Sequence, residues 1–66
     1  MMIVVTIPAY NEDKTIGILV SGIHKIMKSK GYNYKVLVLD DGSSDRTAKV
    51  AKSAKAVVYS HPKNYG

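Results

Sequence analysis

The chain has 66 residues, no cysteine and a formal net charge of +5. A domain this short buries only about 60% of its unfolded surface, with no disulfide or thiolate metal site to reinforce it. An apolar share of 45% excludes a disordered chain, and no apolar run approaches the ~20 residues of a membrane-spanning helix.

The opening MMIVVTIPAY lacks the basic start and cleavage pattern of a signal peptide, so the expected location is cytoplasmic. Positive charge favours phosphate-bearing ligands, nucleic acid or an anionic membrane. The lysines are spread, however, among them Lys25, Lys28, Lys30, Lys35, Lys49, Lys52, Lys55 and Lys63, as on solvated helix faces. Without a basic block or a helix-turn-helix or RNA-binding signature, no nucleic-acid partner is expected.

In chain order, MIVVTI (residues 2–7, from Met2 to Ile7) is β-branched and almost wholly apolar, and Pro8 follows it. This predicts a strand buried on both faces, as in parallel sheets, ended by the proline. Next comes a loop and helix start, with Asn11 as the cap and Glu12 and Asp13 in the first turn. Ile16, Leu19, Val20, Ile23, Ile26 and Met27 recur at three- and four-residue steps and predict one apolar helix face, with Gly31 ending the helix.

YKVLVLD, residues 34–40, is a second apolar strand. DGSS is a turn in which Ser43 or Ser44 caps the next helix. DRTAKVAKSAK is a short helix packing through Ala48, Ala51 and Ala54, and AVVYS, residues 56–60, is a third strand before HPKNYG. Strand, helix, strand, helix, strand predicts a parallel α/β sheet with right-handed crossovers.

In such sheets ligands bind beyond the carboxyl ends of the strands, where PAYNE, DDGSSD and HPKNYG fall. Asp40 and Asp41 are adjacent, so along a strand they point to opposite faces and do not form a proton-sharing pair. One carboxylate can read the ring N–H of a nucleobase while the other holds a ribose hydroxyl or the turn. Equally, both can be tied to the backbone amides of Ser43, Ser44 and Asp45. Asp45 itself reads as a structural cap. Tyr10 offers a face on which a base can stack, or can pack on the sheet edge.

No glycine-rich dinucleotide loop follows the first strand, and there is no phosphate-loop lysine. His24 is expected exposed and inert on its helix, and His61 has no second ligand at metal-site spacing. Tyr32, Tyr34 and Tyr59 read as packing residues.

VTIPAYNEDKTI followed by VLVLDDGSSDRTA resembles the amino-terminal half of the inverting family 2 glycosyltransferases. HPKNYG resembles the loop after the third strand in their dolichyl- and polyprenyl-phosphate sugar synthase branch. The resemblance covers the whole chain and implies the β-α-β-α-β part of a Rossmann-like, three-layer GT-A nucleotide-sugar domain with parallel strands.

By that resemblance Pro8, Ala9, Tyr10 and Glu12 line the nucleoside pocket, with Tyr10 on the base. Asp41 binds the ring N–H of uracil or guanine, Asp40 supports the loop or ribose, and Lys63, Asn64 and Gly66 belong to a loop closing over a UDP- or GDP-sugar. The family's Asp-x-Asp motif for Mg2+ or Mn2+ and its catalytic base come after a fourth strand, beyond residue 66. No catalytic or metal residue is therefore expected in residues 1–66, which alone should not catalyse transfer.

The acceptor implied is a polyprenyl phosphate, which would bring the full-length enzyme to a membrane. With no fourth strand beside it, the edge of residues 2–7 invites pairing with a second copy. The alternatives are a free-standing, non-catalytic nucleotide-binding module and a receiver-like domain. The latter places its acidic pair after the first strand rather than the second.

Overall fold

The computed structural model describes residues 1–60, which form five elements: β1 (Ile3–Ala9), α1 (Ile16–Ser29), β2 (Tyr34–Asp40), α2 (Thr47–Ser53) and β3 (Val57–Ser60). β2 is central. It pairs in parallel with β1 from Ile3↔Tyr34 to Ala9↔Asp40, and with β3 from Leu37↔Val57 to Asp40↔Ser60.

Strand order follows chain order, so two right-handed crossovers carry both helices to one face of the sheet. Burial follows that geometry. Val36, Val38 and Asp40 of β2 are buried, as is Ala9 of β1, while Val4, Leu39, Val57 and Tyr59 on the opposite parity are exposed. Residues 1–60 thus supply two layers, sheet and helices. β1 was expected buried on both faces, yet alternates half-buried and exposed, because among the described residues only one face is covered.

Pro8 does not end β1 but lies inside it, opposite Leu39. Ile3 N–H donates to Asn33 C=O and Ala9 C=O accepts from Asp41 N–H. With the two-residue repeat of a parallel ladder, the odd-numbered residues of β1 therefore bond to β2 and the even ones face the open edge. Pro8 sits at an even position, where its missing N–H costs no ladder bond.

The core joins Ala9, Ile16, Val20, Val36, Val38 and Ala51, with Ile23, Val50, Ala54 and Val58 packed against it. Leu19 and Ile26, expected on the packed face of α1, are exposed, since the apolar stripe is wider than the strip of sheet beneath it. Ala51 is fully buried, as the small-residue reading of α2 required. A side chain at Gly17 would meet Val50 Cγ1 at 3.0 Å, so a glycine there lets the two helices approach.

α1 begins at Ile16, with Thr15 at the cap position and no acid in its first turn, later than the Asn11 start expected from local chemistry. Both helices end in Schellman turns. In α1, Gly31 N–H bonds to Lys28 C=O and Tyr32 N–H to Met27 C=O, with Gly31 at φ 69°. In α2 the same two bonds run from Lys55 to Lys52 and from Ala56 to Ala51. The left-handed position there is Lys55, at φ 71°. A residue with a Cβ pays about 1 kcal/mol in that conformation relative to glycine.

Candidate functional site

The β1–α1 loop (residues 10–15) and the β2–α2 loop (residues 41–46) meet at the carboxyl end of the sheet because β1 and β2 are paired in register. Side chains of each loop bond the backbone of the other. Asn11 N–H donates to Ser43 Oγ at 2.8 Å, and Ser44 N–H donates back to Asn11 Oδ1 at 2.9 Å. Glu12 N–H donates to Thr47 Oγ1 at 2.7 Å, and Asp13 N–H to Asp45 Oδ2 at 3.2 Å.

Asn11 adopts φ 51°, a left-handed conformation that asparagine tolerates better than most residues. Its side chain therefore anchors the facing loop instead of capping α1. Likewise Ser43 and Ser44, expected to cap α2, serve the cross-loop bonds. The cap position of α2 falls on Arg46, which makes no side-chain cap bond.

Asp45 and Thr47 hold this zip together. Thr47 is fully buried. Its hydroxyl accepts from Glu12 N–H and donates to Asp45 Oδ1, which also accepts Thr47 N–H at 2.9 Å. Desolvation works against the charged form of Asp45. The hydrogen bonds from the Thr47 hydroxyl, the Thr47 amide and the Asp13 amide outweigh it and hold the carboxyl below its ordinary range. Thr47 was not singled out from sequence. The signal was the Asp-x-Thr spacing, which lets a carboxylate reach an amide two residues on.

The two adjacent aspartates part company. Asp40 points to the helix-covered face and is buried. Its Oδ1 accepts Ser43 N–H at 3.1 Å and its Oδ2 accepts the Ser60 hydroxyl at 3.3 Å, so it joins the β2–α2 loop to the end of β3. Asp41 is exposed, and its N–H extends the ladder to Ala9 C=O at 3.0 Å. Tyr10, the residue after Ala9 in the neighbouring strand, is half exposed.

Pro8, Ala9 and Glu12 come together elsewhere. With Ile7, Thr15, Ile16, Ile18 and Leu19 they line a cleft of about 420 Å³ between β1 and the start of α1, with neither Tyr10 nor Asp41 in its wall. The Glu12 carboxylate accepts the Thr15 hydroxyl at 3.1 Å. Lys63 and Asn64, with the rest of the expected closing loop, lie outside the described residues.

Among the described residues no three histidine, cysteine, aspartate or glutamate side chains gather as a metal site, and no helix is long and apolar enough to cross a membrane. Asp40 and Asp45 are instead bonded to the protein's own backbone and hydroxyls. His24 is half-buried rather than exposed and inert. Lys55 C=O can only accept, so Nε2 carries the proton toward it at 3.1 Å, and Nδ1 accepts from the Tyr34 hydroxyl.

A three-stranded parallel sheet with helical crossovers and its polar loops at the strand ends defines a Rossmann-like α/β class. The sequence model of glycosyl transferase family 2 matches residues 4–66, and the chain belongs to that family. The uncharacterized protein MJ1222 of Methanocaldococcus jannaschii is 41% identical over 64 residues, covering 97% of this chain and 24% of that protein.

Mannosyl-3-phosphoglycerate synthase from Rubrobacter xylanophilus superposes with a TM-score of 0.84 at 33% identity, over 91% of this chain and 19% of that one. Glucosyl-3-phosphoglycerate synthase from M. tuberculosis superposes at 0.76 and 33% identity, over 89% and 21%. The described elements are those of the amino-terminal part of the GT-A fold. The chain spans about a fifth to a quarter of the length of these relatives.

Proposed function

We propose that this chain is the donor-binding part of a glycosyltransferase that moves a sugar from a nucleoside-diphosphate sugar to an acceptor with inversion. One observation carries the reading: of the two adjacent aspartates, Asp40 is held inside the loop, while Asp41, at the end of the ladder, is left exposed, as is Tyr10 at the end of the neighbouring strand. An exposed carboxylate can accept the ring N–H of uracil or guanine, and a neighbouring phenol ring can cover the base. Asp40 acts on the nucleoside only by holding the loop that carries Asp41. Pro8, Ala9 and Glu12 line the separate cleft between β1 and α1, next in sequence to Tyr10, and in this reading Lys63 and Asn64 close over the donor.

Mg2+ or Mn2+, where the whole enzyme uses it, is held by residues outside this chain, and residues 1–66 alone bind donor without transferring sugar. The acceptor carries a phosphate. The likeness of HPKNYG to the polyprenyl-phosphate branch supports a lipid phosphate, whereas the two solved neighbours are named for phosphoglycerate products. The location proposed is the cytoplasm, at the membrane surface if the acceptor is lipid.

Calorimetric titration with UDP-glucose and GDP-mannose tests the donor site. Loss of a hydrogen bond to a charged group costs about 1.5–3 kcal/mol, so Asp41→Ala should weaken binding by roughly 10- to 100-fold. Equal affinity of wild type and variant would remove the base-reading role, and binding of neither sugar nucleotide by wild type would remove the donor site.

Self-association through the β1 edge belongs to the same proposal. The unpaired N–H groups there are those of Val4 and Thr6, Pro8 supplying none, so pairing extends only over the first half of the strand. Sedimentation velocity over a concentration series should show dimer. A monomer throughout would end this part of the proposal without touching the donor site.

A further inference from the structure

At the end of the sheet opposite the donor loops lies a cavity of about 500 Å³, lined by Ser21, His24, Lys28, Tyr34, Lys35, Val36, Lys55 and Val57. We propose that this pocket binds a phosphate-bearing anion, held by the ammonium groups of Lys28, Lys35 and Lys55.

Three observations converge on it. The first is charge. All five acids of the chain, Glu12, Asp13, Asp40, Asp41 and Asp45, lie at or just past the carboxyl ends of β1 and β2. Because the strands are parallel and the helices return against them, the amino end collects Lys25, Lys28, Lys30, Lys35, Lys52 and Lys55. No acidic side chain lines the pocket among the described residues, so an entering anion meets one sign of field.

The second is a prepared wall. The Tyr34 hydroxyl, His24 Nδ1, His24 Nε2–H and Lys55 C=O form a hydrogen-bonded chain among the residues that line the cavity. The two rings stand 5.5 Å apart at 58°. This relay fixes the backbone that carries Lys55, so less ordering is left to the moment of binding. The helix ends here do not counter the lysines, since the carbonyls of Met27, Lys28, Ala51 and Lys52 are occupied by the Schellman bonds.

The third is Lys55 itself. It occupies at φ 71° the turn position that glycine fills after α1, and it is one of the residues that line the pocket. A backbone cost borne at a ligand-facing residue is the pattern of a site where the side chain is needed.

The probe is inorganic phosphate, titrated into the isotope-labelled chain against sodium chloride at matched ionic strength. Phosphate should shift the His24 ring signals and the Lys35 and Lys55 amides saturably, and chloride should not. Lys35→Gln should weaken binding at least tenfold. Lys55→Gly relieves the backbone while deleting the ammonium, so its thermal midpoint should rise while its phosphate affinity falls at least tenfold.

Phosphatidylcholine vesicles with and without phosphatidic acid separate the sources. Binding only with phosphatidic acid, lost in the same variants, assigns a lipid headgroup, whereas binding of free phosphate alone assigns a soluble ligand. Identical shifts in chloride, undiminished phosphate affinity in Lys55→Gly, or no binding to either phosphate source overturns the proposal.

Discussion

At the carboxyl end of the strands, acids, serines, a threonine and an asparagine are knitted into two loops. At the amino end, lysines surround a cavity whose one polar chain runs from Tyr34 through His24 to a backbone carbonyl. The carboxyl end looks richer in chemistry by composition. Yet most of its polar side chains are consumed in building the loops, with Asp40, Asp45, Asn11, Ser43 and Thr47 all bonded within the protein. Asp41 and Tyr10 are what that scaffold presents. A dense polar motif therefore marks a place where backbone is being positioned, and the few members left exposed are the ones free to meet a ligand.

The sharpest way to break this contrast is Thr47→Val. The near-isosteric change leaves Glu12 N–H without its acceptor and takes from Asp45 its hydroxyl donor, the two backbone donors remaining, at a cost of about 2–3 kcal/mol. In a chain this short that lowers the thermal midpoint by roughly 10 °C or more, measured by circular dichroism.

Acid should act on the same end. The folded carboxyl of Asp45 lies below its unfolded value. Its contribution is thus fully present above about pH 4, the ordinary aspartate range, and is lost as pH falls through the lowered value. Stability of wild type should drop on acidification below about pH 4, and Asp45→Asn should flatten that part of the curve.

Gly42 sits at φ 73° in the β2–α2 loop, so Gly42→Ala should cost about 1–2 kcal/mol in urea denaturation. At the amino end the sign reverses, and Lys55→Gly should stabilise by about 1 kcal/mol. Asp41→Ala should be smallest, within about 0.5 kcal/mol as expected for an exposed residue. A large loss there would mean that Asp41 too is part of the scaffold.

Much of this was legible in the chain. The run from Tyr34 to Asp40 reads as a strand with its observed bounds, because an apolar stretch is closed by turn formers on both sides. Gly31 reads as a helix stop because a left-handed residue is needed there. The start of α1 was misplaced since Asn11, Glu12 and Asp13 are all sound caps locally. What decided the matter were bonds to residues 32 to 35 positions away, which no local spacing reveals.

Pro8 misled in the same way. A proline ends a strand only where its N–H would have been bonded, and which side of β1 is open depends on the pairing. For the site, the opposite facing of Asp40 and Asp41 follows from strand alternation alone. The separation of Pro8, Ala9 and Glu12 from Tyr10 and Asp41 depends on the turn after β1, whose left-handed Asn11 is legible only once its partners are known.

The most direct test of the division between the two ends is an amide chemical-shift map of the chain titrated with UDP and with GDP. The account predicts that the largest shifts for at least one of them fall at Tyr10, Asp41 and Gly42 and vanish in Asp41→Ala. Shifts confined to the lysine end, or unchanged in that variant, would contradict it.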